Sequence, residues 1–238
     1  MSIADKIMRA KNDYDAVYEA GKKSEYDRFW DEFQQNGNRA SYRGSFGGGG
    51  WNPKTFNPKY PIKPITSTAI YMFVFCNWGA SENLDYRNYK HLFDFSEVTL
   101  GTNVFQDAWI DYIEVDFSNA TSLISTFSES YSAGHKTHIT LKVSEKCTNY
   151  NSAFNTCTAL THLFFADGSV IAGNVDVSSC PLVAESLVSV VEHLSGTASS
   201  KTLTVKQSAI NNADWSTTNY ASWEELKATK PNWGFAYK

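Results

Sequence analysis

Several stretches of the chain alternate apolar and polar residues with a period of two. Ile113, Val115 and Phe117 fall on one face, and Glu114 and Asp116 on the other. Ile139, Leu141 and Val143 alternate with Thr140 and Lys142 in the same way, and "KTLTVK" (201–206) returns to the pattern. This is the signature of a half-buried strand, whose successive side chains point to opposite faces. The strand and the turn after it recur. "FDFSEVTLGTNVF" (93–105), "VDFSNATSLISTF" (115–127), "LKVSEKCTNYNSAF" (141–154) and "VDVSSCPLVAESL" (175–187) share an apolar residue, Asp or Lys, an apolar residue, Ser, a short spacer and an apolar closer. "PIKPITSTAIYMF" (61–73) is a degenerate copy. The four clear copies start 22, 26 and 34 residues apart. The first two steps fall in the leucine-rich-repeat range, and the third reads as an insertion.

One such strand cannot bury its apolar face alone, but stacked copies form a continuous core. The pattern therefore predicts a mixed β/α fold: a short, β-rich, leucine-rich-repeat-like solenoid over 61–238. The closing residues Phe73, Phe105, Phe127, Phe154 and Leu187 are its expected interior anchors, on the convex side of each coil. "CPLVAESLVSVVEHL" (180–194) has apolar residues at 183, 187, 190, 191 and 194 and predicts an amphipathic helix that ends before Gly196. "SWEELKATKP" (222–231) fits a short helix stopped by Pro231, and "WGFAY" (233–237) a last strand. Together these would cap the apolar end of the solenoid.

The N-terminal segment, 1–35, has a different period. Ile3, Ile7, Ala10, Tyr14, Val17 and Gly21 are spaced alternately four and three apart, an a/d stripe. So narrow an apolar face wants a partner helix. The first five are the expected oligomerisation positions of a parallel homotrimeric coiled coil; packing of the stripe on the open end of the solenoid is the competing reading. Tyr26, Phe29, Trp30 and Phe33 leave the heptad phase and would dock on the first coil. Residues 36–60 form a connector rich in Gly, Pro and Asn. Its "GGGG" (47–50) lacks the Gly-Lys-Ser/Thr of a phosphate loop and reads as a turn before Trp51.

Some segments also resemble a known family. "SAFNTCTALTHLFF" (152–165) resembles the A-F-x-x-C-x-x-L-x-x-I core of BspA-like leucine-rich repeats. "YEAGKKSEYDRFWDEFQQNGNR", "GWNPKTFNPKYPI", "SSCPLVAESLVSVVEHL" and the closing "KPNWGFAYK" are similar to a subgroup found in phages and prophages of Gram-positive gut bacteria. The resemblance implies a non-enzymatic virion structural or adhesion protein of a tail, baseplate or head appendage, presenting a repeat surface to protein or glycan. Its implied partners are its own copies, other virion proteins and a host surface protein or glycan. The alternatives are a bacterial leucine-rich-repeat scaffold that binds protein and a β-solenoid enzyme that cleaves glycans.

Composition narrows the chemistry. The net charge is −4 without a basic block, which argues against nucleic acid, since phosphate binding needs clustered Lys and Arg. No apolar run approaches a membrane span, and the charged start has no signal-peptide core, so export by the general secretory route is not expected. The location the resemblance implies is the virion, after synthesis in the bacterial cytoplasm. Cys76, Cys147, Cys157 and Cys180 form no C-x-x-C pair and read as small buried hydrophobes. Asp94, Asp116 and Asp176 could form a row of carboxylates like that of a polysaccharide-cleaving enzyme, but Lys142 would interrupt it, so they read as solvent-face positions. His138 and His162 are expected to begin equivalent strands and to lie close together. They would lack the third ligand of a metal site. No catalytic residue, metal or cofactor is expected. Binding is expected in the irregular segments 76–92, 128–137 and 206–221.

Overall fold

A computed structural model describes residues 68–70, 95–108, 111–129 and 136–238. The expected oligomerisation positions Ile3, Ile7, Ala10, Tyr14 and Val17 lie outside the described residues, as do Phe73, Cys76, Asp94 and the segment 76–92.

The described residues build a β-rich solenoid of stacked parallel coils. Strands β1 (Thr68–Ile70), β2 (Leu100–Thr102), β3 (Tyr112–Asp116), β4 (His138–Lys142), β5 (His162–Phe165), β6 (Val175–Val177), β7 (Lys201–Val205) and β8 (Trp233–Tyr237) form three parallel sheets, β1-β2, β3-β4-β5 and β6-β7-β8. In the second sheet Val115 faces Leu141, and Leu141 faces Phe165. Ile113, Val115, Ile139, Leu141, Leu163 and Phe165 are buried while their neighbours face outward, which is the alternation of the sequence realised. Asp111, Thr137 and Thr161 open successive coils 26 and 24 residues apart.

Each coil then turns into a second side. Gly101, Asn103, Phe105 and Asp107 donate backbone N–H bonds to Ser122, Ile124, Thr126 and Ser128. Leu123, Ser125, Phe127 and Glu129 donate in turn to Asn149, Asn151, Ala153 and Asn155, all at 2.8–3.0 Å. Backbone polar groups that would be costly to bury unpaired are thereby satisfied from coil to coil. The chain bends at Asn103, Ser125 and Ser152, whose φ angles are 54°, 50° and 53°. Two residues past each bend comes an aromatic anchor. Phe105, Phe127 and Phe154 are buried and stack nearly parallel, with centroids 5.8 and 5.5 Å apart.

The copy at 175 departs from the expected register. Its turn is the same: Asp116 Oδ1 accepts from Ser118 N at 2.8 Å, and Asp176 Oδ1 from Ser178 N at 2.9 Å. Its neighbours are not. Val175 faces Leu203 in the third sheet, and Phe165 takes the place beyond Leu141. The 34-residue step is thus no insertion; a further coil begins at Thr161, inside it.

The strand row ends on helix α1 (Ala184–Glu192). Val183 N bonds to Thr161 O, and the hydroxyls of Ser186 and Ser189 accept the N–H groups of Leu163 and Phe165 at 3.0 and 2.9 Å. The open edge of β5 is therefore satisfied by side chains instead of by another strand. Leu187 is buried on this helix, beside the strand row and not in the phenylalanine column. Two more helices, α2 (Gln207–Asn212) and α3 (Trp223–Ala228), and a 3-10 turn at Trp215–Thr217 fill the connection between β7 and β8.

Candidate functional site

Two outward-facing features stand out, one on the strand row and one at the C-terminal end. On the strand row His138 and His162 occupy paired positions, and their rings stack with centroids 4.1 Å apart and planes 10° apart. Tyr112 stacks below His138 at 5.8 Å. Thr137 Oγ1 donates to Asp111, so its oxygen receives the Nδ1–H of His138, 2.7 Å away. Thr161 Oγ1 bonds Thr137 O at 3.4 Å and holds His162 Nδ1 at 2.8 Å in the same manner. The pair meets as its sequence positions suggest. Among the described residues, no group of three or more His, Cys, Asp or Glu is placed to hold a metal ion.

Of the repeated acids, the two described ones, Asp116 and Asp176, do not converge. Asp116 pairs with Lys142 at 3.4 Å across adjacent strands, and Asp176 pairs with Lys238 at 2.7 Å in the third sheet. Burial alone would raise the Asp176 carboxyl, but Lys238 and the Ser178 donors overcome it and hold it below the usual value. These carboxylates are tied down as cross-strand ion pairs and are not aimed at a shared cleft. The three described cysteines are buried. Burial pushes the Cys147 thiol up to about 11 despite opposing bonds to Tyr150 and Asn149, so it is a poor nucleophile.

The second feature is an open groove of about 410 Å³. Its walls come from α2, the 3-10 turn, α3 and β8. The local sequence explains the wall of α3. Ser222 caps its N-terminus by accepting from Glu225 N at 3.3 Å, and buried Trp223 and Leu226 turn it toward the core. Trp223 packs edge-on against Phe235 of β8 at 5.6 Å and donates from Nε1 to the Tyr237 hydroxyl at 3.1 Å. The whole end is anchored to the last turn of α1. Lys230 Nζ bonds Glu192 O, a carbonyl the helix end leaves unpaired, and Leu194 O just beyond the helix, and Trp233 Nε1 bonds Ser195 O at 2.9 Å.

The sequence pointed to 206–221, which contributes Gln207, Ile210, Asn211 and Trp215 to this groove. Trp223, Glu224, Lys227 and Tyr237 read in the sequence only as capping elements. Of these only Tyr237 leaves a large aromatic surface exposed, and it joins the groove only once β8 returns beside β7. No protein-family model, curated protein or solved structure matches the chain. The class the fold defines is a β-rich repeat solenoid. Among the described residues, no helix is long and apolar enough to cross a membrane.

Proposed function

We propose that this protein is a non-enzymatic structural or adhesion component of a phage particle: a BspA-like, leucine-rich-repeat-type solenoid that trimerises through its N-terminal heptads and presents its outer surface to a protein or glycan. One observation carries the repeat assignment. In the segment that resembles the BspA-like core, Ala153, Phe154, Cys157, Leu160 and Leu163 are all buried, so the positions the motif keeps apolar are those this chain turns inward. The heptads of 1–21 supply a means of attachment. Asp116 and Asp176, held in ion pairs with Lys142 and Lys238, weigh against the glycan-cleaving alternative.

Peptide mass spectrometry of gradient-purified particles from a phage or induced prophage carrying the gene tests the virion reading. Recovery of this chain with the structural proteins is expected, and its absence from particles would favour the bacterial scaffold instead. Light scattering tests the trimer. The full chain should have three times the protomer mass and a chain lacking residues 1–24 the mass of a monomer; monomers in both cases would remove the coiled coil.

A further inference from the structure

We propose that the groove walled by α2, the 3-10 turn, α3 and β8 binds a short, neutral saccharide. This rests on the adhesion reading and names a ligand class for it. A volume of about 410 Å³ lies within the range of small-molecule sites. The chemistry of the lining selects the ligand. Sugar rings carry C–H faces that pack on aromatic rings and an equatorial rim of hydroxyls that need both donors and acceptors. Trp215 is half-buried and Tyr237 is 41% exposed, so aromatic surface is open to such a face.

The polar groups around it come pre-oriented. Gln207 Nε2 donates to Asn211 Oδ1 at 3.0 Å, which leaves Gln207 Oε1 as an acceptor and Asn211 Nδ2 as a donor. The Tyr237 oxygen receives Trp223 Nε1 at 3.1 Å and is also faced by Lys227, so its own proton is free to point outward. The groove's one acid and one base, Glu224 and Lys227, neutralise each other at 2.6 Å. With no net charge to recruit a phosphate, an acidic sugar or a charged peptide, a polyhydroxylated neutral ligand fits best.

The test is calorimetric titration of the full-length protein with three probes: maltotriose, cellotriose and tri-N-acetylchitotriose. At least one should saturate a single site per chain, with Kd of about 1 mM or tighter. Trp215→Ala should weaken that binding about tenfold. Asn211→Ala, at an exposed helix position that does not challenge folding, should weaken it about three- to tenfold, the value of a hydrogen bond. Tyr237→Phe keeps the ring, removes the donor and should act similarly. No saturable binding of any probe, undiminished binding by Trp215→Ala and Asn211→Ala, or binding of a mixed peptide library in place of the sugars would each overturn the proposal. A protein recovered in particles that binds none of the probes refutes the groove alone. Sugar binding by a protein missing from particles refutes only the virion reading.

Discussion

Lys136 Nζ lies 3.2 Å from Glu129 Oε1, and neither side chain has any exposed surface. The backbone N–H of Lys136 donates to the same oxygen at 3.1 Å, so the pair fixes the point where the coil re-enters the strand row. Glu129 is itself built into the ladder, through its N–H to Asn155 O and its carbonyl to the Thr156 hydroxyl. Removing the cation alone leaves the buried charge of Glu129 unbalanced, although the Lys136 backbone N–H still reaches it. Lys136→Met should therefore lower the unfolding free energy by about 3–5 kcal/mol in urea titrations. The double variant Lys136→Met/Glu129→Leu should recover most of that loss, because it removes both desolvated charges. If the double variant is as unstable as the single one, the charge argument fails and packing volume governs the site.

Three glycines separate close approach from backbone strain. A Cβ on Gly173 would sit 2.1 Å from the carbonyl oxygen of Thr148, a backbone atom of the adjacent coil. Gly173→Ala must push the coils apart and should cost about 1–3 kcal/mol. Gly168 has φ 77° and open space around it, so Gly168→Ala should cost about 1 kcal/mol through conformation alone. Gly196 has neither constraint, and Gly196→Ala should leave the thermal midpoint unchanged within error.

The Asp176–Lys238 pair makes a prediction about acid stability. A carboxyl whose folded-state pKa is lowered stabilises the fold above its ordinary value of 3.8, and that contribution is lost as pH falls through the lower folded value. Asp176→Asn keeps an acceptor for Ser178 N but removes the charge. The side chain is 46% exposed, so solvent screening limits the difference at neutral pH to at most about 1 kcal/mol. The difference should hold from pH 7 to pH 5 and close at lower pH. A gap that persists in strong acid would point to packing rather than charge.

The described thiols should be inert in the native state. Cys147, Cys157 and Cys180 are each 0% exposed, and Cys157 Sγ lies 3.1 Å from Phe127 O in the core. Iodoacetamide at pH 8 should leave all three unmodified in peptide maps of the folded protein and label all three in guanidinium. Native labelling at any of them would mean that the coils open locally on the labelling timescale.

The sequence by itself determined the inward and outward faces of the strands whose alternation it shows, among them β3 and β4. Period-two alternation names which of Ile113, Glu114, Val115 and Asp116 turn inward, because the pleat reverses side-chain direction at every residue. It determined the helix of 184–192 by its apolar spacing and the turns at Asp116 and Asp176 by local hydrogen bonds spanning two residues. It also brought His138 and His162 together, because both begin strands of successive coils. Partners across the stack were left to the tertiary structure. "VDFS" and "VDVS" make the same turn, yet one pairs with Leu141 and the other with Leu203, because a parallel ladder is set by which coil lies above and how many residues each coil consumes. Ser186 reads as a flaw in an apolar helix face until β5 lies beneath it with an N–H to satisfy. The groove is of the same kind. Its aromatic and amide groups come from 207–237, and only the return of β8 against β7 gives them a common wall.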